Sequence, residues 1–125
     1  MSTYQSTADI LLFVQRYFDM MYDCDVARFN QVFCTTANLH GFRDGKMTAW
    51  SAPQYKDLLA ERQSPQSVGA PRAEEVLLID IASESQALVK VRVQIHDAFF
   101  VDYLSFHRID GDWLITSKAY HREPI

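Results

Sequence analysis

The stretch "VDYLSFHRIDGDWLITSKAYH", residues 101–121, decides the fold. Aromatic and branched residues alternate on both sides of Asp110-Gly111, and that dipeptide between two such runs is a strong hairpin signal. A two-residue turn sets Ile109 opposite Asp112, Arg108 opposite Trp113 and Phe106 opposite Ile115. The same register continues with Leu104 against Ser117, Asp102 against Ala119 and Phe100 against His121. One face is then apolar near the turn, through Leu104, Phe106, Trp113 and Ile115. Its far end is small and polar, with Asp102 and His121 as diagonal neighbours roughly 7–8 Å apart. A carboxylate in line with an apolar stripe has to be paired, hydrogen-bonded, protonated or wet. Asp102 is therefore the first candidate for a working group.

The opposite face carries Val101, Tyr103, His107, Leu114 and Tyr120. It is too aromatic to be indifferent to water and too polar for a deep core, so a second copy of the chain is the expected partner, in a two-fold homodimer. A one-residue bulge at the turn would change which residues share a face.

Working outward, runs at 76–81, 86–96, 99–109 and 113–120 read as four long strands with short connections, an antiparallel meander. The first half reads differently. Ser6-Thr7-Ala8-Asp9 offers polar start chemistry, and Ile10, Phe13, Val14, Tyr17, Met20 and Met21 recur at helical spacing, which predicts a helix over about 7–23. "DCD" breaks it, and Asp25 caps a short second helix that buries Val26, Phe29, Val32 and Phe33. A strand follows at 37–42, then a turn in "RDGK" and a brief return strand at 47–50. Ser51-Ala52-Pro53-Gln54 has the capping-box pattern with Pro in the first turn, and predicts a third helix to about residue 62 that buries Tyr55, Leu58 and Leu59. Residues 63–72, with two prolines and a glycine, read as a loop within one domain, 1–125. Helices first and strands after is the α+β arrangement, with helices packed on one face of a sheet.

Composition bounds the function. The chain is 48% hydrophobic and 13% aromatic, which calls for a full core or a partly apolar cavity. A net charge of −4, with Arg16, Arg28, Arg43, Arg62 and Arg72 scattered, argues against nucleic acid as a partner. The early apolar run at 10–14 is too short for a membrane span, and no positive segment precedes it as in a signal peptide. Cys24 and Cys34 make no metal motif and are expected as reduced thiols, in a cytoplasmic protein. His40, His96 and His107 do not have metal-ligand spacing, and no phosphate loop or nucleophile elbow is present, so neither metal nor cofactor is expected.

"FVQRYFDMMYDCDVARFNQVFCTTANLHGF" (13–42), taken with the hairpin, resembles the nuclear transport factor 2-like superfamily, and most of all its putative lumazine-binding or SnoaL-like branch. The resemblance covers nearly the whole chain. It implies a cone of curved antiparallel sheet, closed by three helices around a pocket and often dimeric through the sheet's outer face. It implies no single chemistry, because that fold hosts enzymes, binding modules and adaptors alike.

A more distant resemblance is to ketosteroid isomerase. Tyr17 in "QRY" matches that enzyme's pocket tyrosine, and Asp102-Tyr103-Leu104-Ser105-Phe106 is similar to the strand carrying its second oxyanion donor. The resemblance implies Tyr17 and a protonated Asp102 as donors to a carbonyl oxygen. The enzyme's general base falls, by ungapped count from Tyr17, on Gly41, so the proton-abstracting carboxylate is missing. His40 beside it should point to the opposite face.

Three functions are then open. The first, and preferred, is a binder of a small, mainly apolar ligand in a pocket lined by Tyr17, Trp50, Tyr55, Asp102, Phe106 and His121. The second is an isomerase- or dehydratase-type enzyme in which Tyr17 and Asp102 polarise a carbonyl and His121 moves a proton. The third is a non-catalytic module that binds protein through its aromatic sheet face.

Overall fold

A computed structural model of the chain describes residues 3–125, and side-chain surroundings from residue 6 on. Helix α1 (Thr3–Asp23) turns Ile10, Val14, Tyr17, Met20 and Met21 inward, the i, i+4, i+7 stripe of a core-facing helix. It begins ahead of the polar cluster Ser6-Thr7-Ala8-Asp9 expected as its start. No Pro or Gly interrupts 3–9, so the hydrogen-bond ladder runs through those residues, and Ser6 is itself buried. It ends at Cys24, whose φ of 52° takes the left-handed position usually given to glycine, and whose N–H bonds the Met20 carbonyl at 2.7 Å. Asp25 then caps Val26–Gln31, accepting from the Ala27 N–H at 3.1 Å; this segment is a 3₁₀ turn, not an α-helix. Its Phe29 stacks on Phe33 with ring centres 4.8 Å apart.

Strands β1 (Phe33–Arg43) and β2 (Lys46–Ser51) form a hairpin around Asp44 and Gly45, both at positive φ as a type I′ turn requires. Helix α2 (Ala52–Glu61) starts with the full capping box: Ser51 Oγ accepts from the Gln54 N–H, and Gln54 Oε1 accepts from the Ser51 N–H. It buries Tyr55 and Leu59, while Leu58 stays half-buried. The loop to the next strand is anchored on α1, by the Tyr22 hydroxyl on the Ala70 carbonyl at 2.8 Å and by Arg72 between Asp19 and Glu74.

Strands β3 (Glu74–Ser83), β4 (Gln86–Ile95), β5 (Ala98–Ile109) and β6 (Asp112–Pro124) make the expected meander. The sheet order is β2-β1-β6-β5-β4-β3. β1 pairs with β6 in parallel, so the curved six-stranded sheet is mixed and not wholly antiparallel. The cause is topological: β1 is parted from the meander by α2, and the last strand returns alongside it.

The β5–β6 register is as read from the turn to Phe106 opposite Ile115. There it shifts. Ser105 pairs with Ser117, leaving Thr116 as an extra residue on β6, a bulge of two residues against one. Thr116 Oγ1 satisfies itself locally, donating to the Ser105 carbonyl at 3.3 Å and lying 2.6 Å from His107 Nδ1. Beyond the bulge every side chain changes face. Lys118 and Tyr120 turn inward, and Ser117, Ala119 and His121 turn out to solvent. The expected Asp102–His121 diagonal therefore does not form, and Asp102 lies opposite Tyr120. The proposed dimer face also loses Tyr120, keeping half-buried Val101, His107 and Leu114 around exposed Tyr103.

Candidate functional site

Asp102 on β5 is wholly excluded from solvent at the floor of a cavity of about 130 Å³ between the inner sheet face and α2. Its Oδ2 accepts a hydrogen bond from the Tyr17 hydroxyl of α1 at 2.5 Å. Lys118 Nζ lies 3.9 Å from the same oxygen, with the lysine only 4% exposed. Asp102 Oδ1 has no hydrogen-bond partner among the described residues, although an orphaned buried carboxylate oxygen is costly.

Lys118 donates to the Tyr55 hydroxyl at 3.2 Å, and that hydroxyl turns its own hydrogen to Met21 Sδ at 3.5 Å. The ammonium also faces the rings of Tyr17 and Tyr55, at 5.3 and 5.0 Å from their centres. Three elements thus converge: α1 supplies Tyr17, α2 supplies Tyr55, and the sheet supplies an acid and an amine.

Tyr17 does not itself reach the cavity wall; it backs Asp102 from the core. Burial, then the negative charge of Asp102, then Tyr55, and the hydrogen bond to Asp102 push its phenol well above the ordinary range, so it remains a donor. Phe106 is likewise a core residue beneath the site. Trp50 and Tyr55 line the cavity, and exposed His121 does not.

Gly41, the position on which the resemblance to ketosteroid isomerase sets a base, has no room for a side chain. A Cβ there would run into the Tyr120 ring, which lies across β1 and joins its hydroxyl to Thr48 Oγ1. Thr48 in turn donates to the Gly41 carbonyl at 2.9 Å. The space that a side chain at Gly41 would take is filled by an aromatic ring from β6. Around the mouth stand Arg43, Arg62 and Arg122, so with Lys118 the lining is cationic in a chain whose net charge is −4.

Lys118 and Tyr120 escaped the reading of the sequence because the bulge that points them inward was placed, if anywhere, at the turn. A signal was available: Trp113 and Tyr120 are an odd number of residues apart. Both aromatics can share a face only if the strand slips once between them.

A family model described as "Putative lumazine-binding" matches residues 5–121. The chain is similar to "Aldolase FrzH" of Cladobotryum sp, at 26% identity over 110 residues, 86% of this chain and 84% of that one. Among solved structures it resembles a nuclear transport factor 2-like protein of unknown function from Shewanella baltica. The TM-score is 0.87 at 21% identity, over 100% of this chain and 99% of that one. A protein from Silicibacter pomeroyi, described in the same words, gives 0.83 at 19% identity, over 98% and 100%. A ketosteroid isomerase-like protein from Erwinia carotovora atroseptica gives 0.71 at 11% identity, over 92% and 94%. At such identities these structures establish the nuclear transport factor 2-like fold and nothing of the chemistry.

Proposed function

We propose that this chain, which belongs to the family described as "Putative lumazine-binding", binds a small, mainly apolar ring compound in its cavity. One observation carries the reading: a fully buried aspartate with one unpartnered oxygen, at the floor of a cavity whose aromatic and aliphatic walls also carry Lys118 and three arginines. A ligand that presents an N–H or O–H would supply the missing donor to Asp102 Oδ1. An adjacent acceptor on the ligand would take a proton of the Lys118 ammonium, which has spare donors beyond Tyr55. A volume of about 130 Å³ suits a single ring, with larger substituents leaving through the mouth among the arginines.

The test is a thermal-shift and calorimetric screen of ring compounds with a donor beside an acceptor, against analogues methylated at the donor. Asp102→Asn should weaken the donor-bearing ligands by roughly 10- to 150-fold, the span of about 1.5–3 kcal/mol for a hydrogen bond to a charged group. Equal affinity for methylated and free ligands would remove the reading. Free Cys24 and Cys34 support the cytoplasm as the place of action. A second copy on the outer face around Tyr103 belongs to the same proposal, and sedimentation of wild type against Tyr103→Glu tests it.

A second reading, an enzyme acting on a carbonyl compound, is favoured by the relative called an aldolase. In it Asp102 and Lys118 face the substrate, and Tyr17 holds Asp102 in place. Deuterium exchange next to the carbonyl of a cyclic ketone, abolished by Asp102→Asn, is the expected sign of isomerase- or dehydratase-type activation. Exchange at the rate of the protein-free solution removes it.

A further inference from the structure

Lys118 is buried, lines the cavity, and gives one hydrogen bond, to the Tyr55 hydroxyl. The amine makes no hydrogen bond to Asp102: it stands 3.9 Å from the oxygen that Tyr17 occupies and leaves the free Oδ1 unpartnered. The amine instead stands between two tyrosine faces with the cavity in front of it and a carboxylate within proton-transfer range through a small shift. We propose that Lys118 is an amine nucleophile that condenses with a small ring aldehyde or ketone in the cavity. The proposal rests on the ligand-binding reading of that cavity and adds a covalent step to it.

The step balances without any added oxidant. The ammonium passes one proton to the Asp102 carboxylate, and the freed lone pair of Nζ bonds to the carbonyl carbon. The carbonyl π electrons move to oxygen, which takes the proton back from Asp102 to give a carbinolamine. The nitrogen then loses a second proton to that hydroxyl through the same carboxylate. Water leaves, and nitrogen closes the double bond. Overall a carbonyl compound and a lysine ammonium become an iminium and one water, with the charge conserved. Tyr55 holds Nζ by accepting from it, and so orients the lone pair towards the open side. The positive iminium keeps Asp102 as its counter-ion, so the buried charge pair survives the reaction.

The probe is benzaldehyde with sodium cyanoborohydride, whose hydride reduces an iminium and fixes it as a benzylamine. Wild-type protein should gain one benzyl group by intact mass, and peptide mapping should place it on Lys118. Lys46, Lys56 and Lys90 lie outside the cavity and serve as internal controls. Because the cavity holds aldehyde and amine together, Lys118 should react at least about tenfold faster than those three. Benzyl alcohol, which fills the same space without a carbonyl, should slow labelling at Lys118 alone. Lys118→Arg keeps the positive charge and should lose the fast label, and Asp102→Asn should slow it. Label spread over the other lysines with Lys118 unmodified overturns the proposal. A melting-temperature rise with benzyl alcohol would then show that the cavity still binds, and its absence that the ligand reading falls too.

Discussion

Towards its turn the β5–β6 hairpin presents Phe106, Trp113 and Ile115 to the core, all excluded from solvent; past Thr116 the same strands present Asp102, Lys118 and Tyr120 to a cavity. The first end is held by apolar burial, worth about 1.5–3 kcal/mol for each large side chain. The second contains an acid and an amine whose desolvation offsets most of their attraction. One unpaired residue separates the two regimes. A sheet face can therefore change from wall to site without any change in strand count or connection, by slipping the side-chain parity of one strand.

The comparison breaks most severely if the amine is taken from the polar end. Lys118→Met leaves Asp102 without its neighbouring cation in a buried site. An uncompensated buried carboxylate costs about 3–5 kcal/mol, so urea unfolding should show a loss of that size, together with loss of ligand stabilisation. Deleting Thr116, by contrast, leaves Ser117 opposite Ser105 and Lys118 opposite Leu104, so the same side chains face the cavity and ligand stabilisation should survive. A Lys118→Met variant of wild-type stability would mean that the pair is incidental.

Gly41→Asp sharpens the same boundary. The new side chain has to displace the Tyr120 ring, and overpacking of this kind costs about 1–3 kcal/mol. Pairing it with Tyr120→Ala should return part of that loss in a double-mutant cycle, whereas simple additivity would place the strain elsewhere.

Tyr17 ties the site to the core, and alkaline pH tests that tie. Its phenol is raised, so the folded state keeps a proton that the unfolded chain releases near pH 10. The stability it contributes is complete below that pH and is lost as pH climbs from there towards the folded value. The slope is at most about 1.4 kcal/mol per pH unit. Wild type should fall more steeply than Tyr17→Phe in denaturant titrations between about pH 9 and pH 11; parallel curves would contradict the assignment. The smallest effect belongs to His121→Ala. As an exposed residue off the cavity it should change stability by less than about 0.5 kcal/mol and leave ligand affinity unmoved.

Much of the fold was legible because its signals are local. Asp44-Gly45 and Asp110-Gly111 announce their turns, Ser51 and Gln54 announce a helix start, and the stripe from Ile10 to Met21 can be read only as a buried helix face. The parallel β1–β6 contact was not legible, since no short stretch encodes a pairing across most of the chain. Of the residues expected to line a pocket, Asp102, Trp50 and Tyr55 stand at the cavity, while Tyr17 meets Asp102 from behind. Lys118 and Tyr120 were assigned to the outer face because strict alternation was carried past Ile115. Thr116 has no compositional mark as a bulge; only the mismatch between Trp113 and Tyr120 betrays it.

The parallel contact has a consequence for biosynthesis. Phe33 finds its strand partner only at Ile115, about 80 residues later. At roughly 5–20 residues per second, a ribosome leaves the first hairpin without its inner neighbour for on the order of 4–16 s. During that time β1 has its outer neighbour β2 but not the strand that joins it to the meander. Folding of this chain is thus gated by arrival of its last strand, and a nascent chain halted before β6 should be the species that chaperones hold and proteases cut.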